Sequence, residues 1–475
     1  MSNTGLGKSL FKLYELYCEN GGAVTTDSRA VASLTAAHDG IGPIFFALSG
    51  ENFDGNDYAV QAVAEGAAAA VVRGRLPKGV KAGSPEAARY FVVEDTLAAL
   101  QELAAYHREV LGLPVIALTG SNGKTTTKEL ITRILSLRYR VAGTRGNLNN
   151  HIGVPLTLLS IREEDDVAVV EMGANHRGEI AALCEIARPD IGLITNVGRA
   201  HLDGFGGAEG VRRGKGELFD YLAGHGGTAI YAADDPVLSE MAAERFSTSG
   251  GENSEGRAVG YRAADFGISV ARSGGRRRGD ELILSTAHGE VATHMTGEYN
   301  VANVAAATAV GHYFGVSVSE ALRAVAAYVP DNNRSQVEDS ANGTGNRLYK
   351  DAYNANPSSM AAALDNFLAL PTTGAKVLIL GDMRELGDFA AAEHRAIIDR
   401  IAATSATSSA DLVCYVVGPE FSAAAAAAGT TAVRSFLSAD ELAAALTGGE
   451  VSIREAQVLV KGSRGMALEK LYPLL

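Results

Sequence analysis

The sequence predicts an α/β protein of three domains, the central one a P-loop-type domain on a mostly parallel sheet. Three observations predict this. Short apolar runs ended by glycine alternate with helical stretches, the pattern of strands joined by crossover helices. One such run opens directly onto the glycine- and threonine-rich segment TGSNGKTTTKE. The alternation also breaks before Leu113 and again near Pro330, so the 475 residues divide into blocks 1–110, 111–329 and 330–475. Each is of ordinary domain size.

In the first block, TDSRAV (Thr26–Val31) leads through a turn-rich segment to IFFALSG (Ile44–Gly50). A helical stretch, Ala59–Gly66, then runs into the strand AAAAVV. In the second, PVIALTG (Pro114–Gly120) reads as a buried strand. The helix expected from Lys124 to about Arg138 carries Leu130, Ile131, Ile134, Leu135 and Leu137 mostly on one side. VAVVEMG (Val167–Gly173), IGLITNVG (Ile191–Gly198) and TAIYAA (Thr228–Ala233) are further strands. From about Ala263 to His294 alternating runs around SGGRRRGDE read as a hairpin with a solvated tip. The third block supplies KVLILGDM (Lys376–Met383), LVCYVVG (Leu412–Gly418) and AQVLVKGSRG (Ala456–Gly465) as buried strands, with Ala423–Ala428 as helix filler.

Hydrophobic residues make up 47 % and charged residues 20 % of the chain, the balance of a soluble protein with substantial cores. A net charge of −13 excludes a broad nucleic-acid surface, which needs a basic face. Anionic ligands must then be held locally, by backbone N–H groups and a few cations. Cys18, Cys184 and Cys414 lie far apart and form no CxxC pair, which fits a reducing compartment. The N-terminus has no apolar core of signal-peptide type, and no apolar run reaches about 18 residues. A cytoplasmic protein with no membrane contact is expected.

The strand–TGSNGKTTTKE–helix passage is the strongest local signal. Gly120 and Gly123 let the backbone turn tightly and approach a polyphosphate, while Ser121, Asn122 and the first helical N–H groups face the anion. Lys124 balances charge on the outer phosphates, and Thr125 or Thr126 offers a hydroxyl to Mg²⁺. The usual GxxxxGK[ST] spacing would need glycine at 118, where this chain has Leu118, so the loop is of the shorter GxxGKT type. A turn with no ligand is the bland alternative.

Glu171 ends the strand VAVVE, and His201 follows the next strand in NVGRAHLDGFG. In a parallel sheet both lie at the carboxyl edge, where ligands bind. A carboxylate and an imidazole there can hold Mg²⁺, although His is an unusual magnesium ligand. Taken singly, a Glu at a strand end is more often structural. Lys215, in GVRRGKGELF, reads from the residues alone as a solvated helix lysine.

Taken in order, TGSNGKTTT, VEMGANHRGEI, NVGRAHLDGFG, KGELF, DAYNANPSSM, LGDMRELG and KGSRGM resemble the Mur ligase family, and within it the MurF type. TDSRAV with IFFALSG and FDGNDYAVQAVAEGA is similar to that type's N-terminal domain. The resemblance spans nearly the whole chain. It implies a UDP-substrate-binding domain, a central ATP-binding domain, and a C-terminal Rossmann-like domain that takes the incoming amine and part of ATP. It also implies an ATP-dependent amide-bond ligase that adds D-alanyl-D-alanine to UDP-N-acetylmuramoyl tripeptide through an acyl phosphate, with ATP and two Mg²⁺ ions, as a monomer. By position, the resemblance makes Lys124, Glu171, His201 and Lys215 catalytic. Thr125, Glu171 and His201 become Mg²⁺ ligands, joined by Lys215 as a carbamate formed with CO₂. Asn300 and Asn303 match an adenine-contacting helix, beside Tyr299 where the family often has His. Arg334 and Asp351 match residues that reach ATP from the third domain, with Tyr353, Asn354 and Asn356 alongside; Lys350 stands where another acid is expected. Ser28, Arg29, Asn147 and Asn149 are expected on the UDP-sugar.

The alternatives are another ligase of the superfamily (one adding the third residue, or folylpolyglutamate synthase), a non-catalytic nucleotide-binding module, and a P-loop kinase. YNANPSSM and GANHRGEI favour the MurF type, and the DNPR tetrapeptide of diaminopimelate-adding ligases is not in the sequence.

Overall fold

The structure is a computed structural model that describes residues 6–37, 39–246, 256–271, 281–330, 336–372, 374–407 and 411–475. Three main sheets follow one another along the chain. In the first, strands Val24–Thr25, Ile44–Phe46, Ala69–Arg73 and Tyr90–Val93 pair in that order, all parallel. The central sheet orders Arg257–Tyr261, Thr228–Ala232, Ile191–Ile194, Val115–Thr119, Val167–Glu171 and Val141–Gly143, again all parallel. The third orders Gln336–Asp339, Arg347–Asp351, Gln457–Lys461, Lys376–Gly381, Leu412–Val417 and Arg434–Phe436, with only its first pair antiparallel. The fold is thus α/β with three domains.

Side-chain alternation explains the central layer. Ile116 and Leu118 face one side and pack with Leu130, Ile131 and Ile134 of the helix Lys124–Leu135 and with Val304 of the helix Asn300–Tyr313. Val115 and Ala117 face the other and pack with Leu183, Leu218 and Leu222. A strand covered on both faces is apolar throughout, and Val115–Thr119 is buried at every position. Each large aliphatic side chain removed from water there stabilises by roughly 1.5–3 kcal/mol. The helix after the loop ends at Leu135, short of the expected Arg138, and Leu137 lies beyond it with 50 % exposure. Leu137 therefore does not extend the apolar stripe.

Strands Ser269–Val270, Ile283–Thr286 and Gly289–Ala292 form an antiparallel sheet beside the central domain. The arginines of the expected hairpin tip, Arg276–Arg278, lie outside the described residues. Among the described residues no helix is long and apolar enough to cross a membrane.

The helix Thr96–Leu111 ties the first domain to the second. Asp95 caps its start through Leu97 N and Ala98 N, and Gly112, at φ 63°, ends it. Near that end buried Arg108 donates to the Asp190 carboxylate at 2.8 Å, and the same oxygen accepts from Val115 N at 2.8 Å. The base of the strand that feeds the phosphate loop is fixed by this pair.

Candidate active site

The strand Val115–Thr119 delivers the chain to Gly120, where φ is 143° and a Cβ would stand 2.0 Å from Thr195 Oγ1. Gly123 has φ 79°, and a Cβ there would stand 2.3 Å from Asn303 Oδ1. No other residue fits either position without moving a neighbour. The next strand clamps the loop from outside. Ser121 Oγ accepts from Gly198 N at 2.9 Å, Asn122 N donates to Asn196 Oδ1 at 3.0 Å, and Asn196 Nδ2 donates back to Asn122 O at 2.9 Å. Lys124 Nζ folds over the loop to Gly120 O at 2.7 Å. The result is a helix N-terminus with a rigid cradle of N–H groups and a cation, a phosphate-binding arrangement.

Beneath the loop, Thr127 Oγ1 donates to Asn303 Oδ1 at 3.1 Å, Asn303 Nδ2 to Asn300 Oδ1 at 2.8 Å, and Asn300 Nδ2 to Thr296 O at 2.7 Å. Both asparagines are buried. The structure places Asn300 and Asn303 as a support under Gly123 and the first helical turn.

Glu171 is 2 % exposed and sits beside the loop. Its carboxylate accepts from Thr125 Oγ1 at 3.0 Å and from Asn149 Nδ2 at 2.9 Å, while its backbone N–H donates to Thr144 Oγ1 at 2.9 Å. A buried carboxylate needs such partners. A hydroxyl and a carboxylate held together are hard oxygen donors, the chemistry that suits Mg²⁺. Among the described residues no three His, Cys, Asp or Glu side chains converge as a metal cluster, so an ion beside Thr125 and Glu171 would need further ligands from outside such a cluster, phosphate oxygens and water among them.

Lys215 is not the solvated lysine its sequence context favours. It stands on the inner face of the helix Ala208–Gly224, 1 % exposed, with Nζ 5.0 Å from the Phe205 ring centroid and donating to Ala174 O at 3.3 Å. Burial, then the positive charge of Lys124, push its ammonium down to about 7 against the opposing pull of Glu179 and Glu217. The helix period put this lysine on the buried stripe with Val211, Leu218 and Phe219, a signal the charge of the residue masks.

His201, at φ 52°, meets the Glu385 carboxylate of the third domain through Nδ1. That contact holds the Glu385 carboxyl below the usual carboxylate range. Other contacts close the same seam. Asn356 Nδ2 donates to Asn122 Oδ1 at 2.8 Å, Arg199 N donates to Ser358 Oγ at 2.8 Å, and the Arg199 guanidinium pairs with buried Glu393. Behind them Asp351 accepts from Lys461 Nζ at 2.6 Å; that lysine is 2 % exposed and also donates to Asn354 O. The phosphate loop, Glu171, Lys215 and the start of the helix Pro357–Ala369 thus border one interdomain cleft.

Known proteins are similar to this chain along nearly all of its length. Sequence profiles described as the Mur ligase family catalytic domain, the Mur ligase middle domain and the Mur ligase glutamate ligase domain match residues 23–108, 118–311 and 333–464. An Escherichia coli (strain K12) protein named UDP-N-acetylmuramoyl-tripeptide–D-alanyl-D-alanine ligase is 36 % identical, over 95 % of this chain and 93 % of its own. The chain belongs to the Mur ligase family. A Bacillus subtilis (strain 168) Mur ligase of the same name is 37 % identical over 74 % of this chain and 73 % of its own. Among solved Mur ligase structures, MurF from Acinetobacter baumannii superposes with a TM-score of 0.77 at 33 % identity, covering 94 % of this chain and 92 % of that one. MurF from Thermotoga maritima, solved with ADP, shares the fold with a TM-score of 0.75 at 24 % identity, over 95 % of this chain and 96 % of that one.

The remaining expected site residues of this Mur ligase are more dispersed. Thr126 is half-buried on the first helical turn. Ser28 and Arg29 stand on a short 3₁₀ helix in the first domain, with Arg29 paired to Asp27 at 2.8 Å. Asn147 lies in the loop that leads to Asn149, whose side chain serves Glu171. Arg334 lies outside the described residues. Asn196, Thr144, Glu385, Glu393 and Ser358 are site-bordering residues that sequence reasoning missed. Asn196, Ser358 and Glu385 carry a local signal, since they lie inside NVGRAHLDGFG, DAYNANPSSM and LGDMRELG.

Proposed function

We propose that this chain is an ATP-dependent ligase of the MurF type, acting in peptidoglycan precursor synthesis. It joins the amine of D-alanyl-D-alanine to the terminal carboxylate of UDP-N-acetylmuramoyl tripeptide, with ADP and phosphate as the other products. The likeness over nearly the whole chain to proteins of that name supports the choice of substrates. Lys215 supports the chemistry: a buried, partly neutral amine beside a phosphate loop has no use in plain nucleotide binding, and it is suited to forming a carbamate with CO₂.

Residues 1–110 take the UDP moiety, with Ser28, Arg29, Asn147 and Asn149 on the UDP-sugar. Residues 111–329 bind ATP through Gly120–Thr126, with Asn300 and Asn303 holding the loop from below. Residues 330–475 receive the amine and reach ATP through Asp351 and Arg334.

A carboxylate is a poor electrophile at neutral pH. Its oxygen attacks the γ-phosphorus of ATP, ADP leaves, and the carbonyl now carries phosphate as a leaving group. The dipeptide amine adds to that carbon, loses a proton, and phosphate departs with the original carboxylate oxygen. Lys124 and the loop N–H groups stabilise the charge on the transferring phosphoryl group. Thr125, Glu171, His201 and the carbamate of Lys215 would hold two Mg²⁺ ions, whose positive charge would offset that of the phosphates. Closure of the third domain over the loop, along the Asn122–Asn356 seam, excludes water from the acyl phosphate. The enzyme works as a cytoplasmic monomer on soluble nucleotide precursors.

The test is phosphate release with UDP-N-acetylmuramoyl tripeptide, ATP, Mg²⁺ and D-alanyl-D-alanine, each omitted in turn. Release that requires all four is expected. Faster turnover with diaminopimelate, lysine or glutamate than with the dipeptide would assign the chain to another ligase.

A further inference from the structure

Arg384 and Arg464, two exposed arginines at the mouth of the cleft, have no acidic partner among the described residues. Resting on the function proposed above, we infer that they bind the carboxylate of the incoming dipeptide.

Their placement follows from the sheet. Arg384 is three residues beyond the strand Lys376–Gly381, and Arg464 three beyond Gln457–Lys461. These strands are adjacent and parallel, so both arginines stand at the carboxyl edge, where open α/β sheets bind ligands. The two loops are laced together: Arg384 N donates to Ser463 Oγ at 2.9 Å, and Ser463 N donates to Asp382 O at 3.2 Å. Gly465 leaves room for the Arg384 head beside the second loop. A Cβ at 465 would lie 3.1 Å from Arg384 Nε and 3.2 Å from its Cζ, so the Arg384 head rests directly against the neighbour of Arg464. The Arg464 guanidinium stacks over the Tyr353 ring, 5.4 Å from its centroid, which fixes its plane and leaves its edge N–H groups for a ligand.

Both loops face the chemistry. Glu385, next to Arg384, pairs with His201, and Asn356, three residues after Tyr353, holds Asn122 of the phosphate loop. Arg199, on the opposite side of the same seam, is by contrast neutralised by Glu393. Two adjacent cations without a counter-charge form a site for an anion, and a planar carboxylate matches the guanidinium fork. The dipeptide carries its carboxylate at the end opposite its attacking amine, about 7 Å away when extended. A clamp at the cleft mouth therefore leaves the amine free to point inward at the acyl phosphate.

The experiment compares wild type, R384Q and R464Q with D-alanyl-D-alanine and with its C-terminal amide. Both side chains are exposed, so the variants should fold, and a thermal melt checks this. Wild type is expected to prefer the acid. Each substitution is expected to lower kcat/KM for the acid about 10- to 100-fold, through KM, as loss of a charge-assisted hydrogen-bonding group does. The amide should be little affected and KM for ATP unchanged, so the acid preference collapses. Variants that keep the wild-type acid-to-amide ratio would overturn the inference alone. A wild-type enzyme that used neither amine would overturn the ligase reading and this inference together.

Discussion

Asn356 Nδ2 in the third domain donates to Asn122 Oδ1 in the phosphate loop at 2.8 Å, while Asn356 Oδ1 accepts from Ser359 N at 2.9 Å. One amide therefore caps the helix Pro357–Ala369 and touches the nucleotide loop of another domain. Asn356→Asp separates the two roles. Asp is as good a cap as Asn, but it cannot donate to Asn122 and brings a negative charge toward the phosphates. N356D should melt within a degree or two of wild type while kcat/KM for ATP falls at least fivefold, about the value of one neutral hydrogen bond. Asn356→Ala should lose both, with ~1 kcal/mol of stability gone. Thermal melts and ATP-dependence kinetics on the two variants check this.

Lys215 sets function against stability. In the unfolded chain its amine keeps the ordinary value of 10.5, and in the fold it is pushed down to about 7. Between those values the unfolded state binds more protons, so the stability owed to this residue rises with pH from 7 to 10.5 and its penalty is full below 7. Lys215→Met should be inactive yet at least as stable as wild type at pH 6 in CO₂-free buffer, and that advantage should shrink by pH 9. Denaturant titrations at the two pH values measure it. The same neutral-amine requirement predicts that activity at limiting CO₂ rises with pH through 7, and that Lys215→Ala is inactive.

Gly123 is held at φ 79° against Asn303. Gly123→Ala adds both backbone strain and a clash, costing on the order of 1–3 kcal/mol. Nucleotide binding should weaken more than tenfold by calorimetry. Asn303→Ala in the same chain should recover only part of it, because the clash goes and the strain stays.

Local signals made the strands and the loop legible. Each buried strand is a run such as VIALT or VLILG bounded by glycine, and Gly120, Gly123 and Lys124 sit where a phosphate needs them. Glu171 was legible as the last residue of a strand beside that loop. Lys215 was read as solvated, because the charge of a helix residue outweighs the apolar stripe of Val211, Leu218 and Phe219 that shares its face, and its contacts with Phe205 and Ala174 appear only in the fold. The seam was also hidden. Asn122 and Asn356 are 234 residues apart, and Glu385 meets His201 only once the two sheets dock. Contacts of that kind are set by domain placement, which no local pattern encodes.

The central claim, that the substrate carboxylate is activated as an acyl phosphate, is tested most directly by isotope transfer. UDP-N-acetylmuramoyl tripeptide labelled with ¹⁸O in its terminal carboxylate is turned over with ATP, Mg²⁺ and D-alanyl-D-alanine, and the released phosphate is analysed by mass spectrometry. One ¹⁸O per phosphate is predicted, stoichiometric with amide product. Unlabelled phosphate released alongside the same product would contradict it.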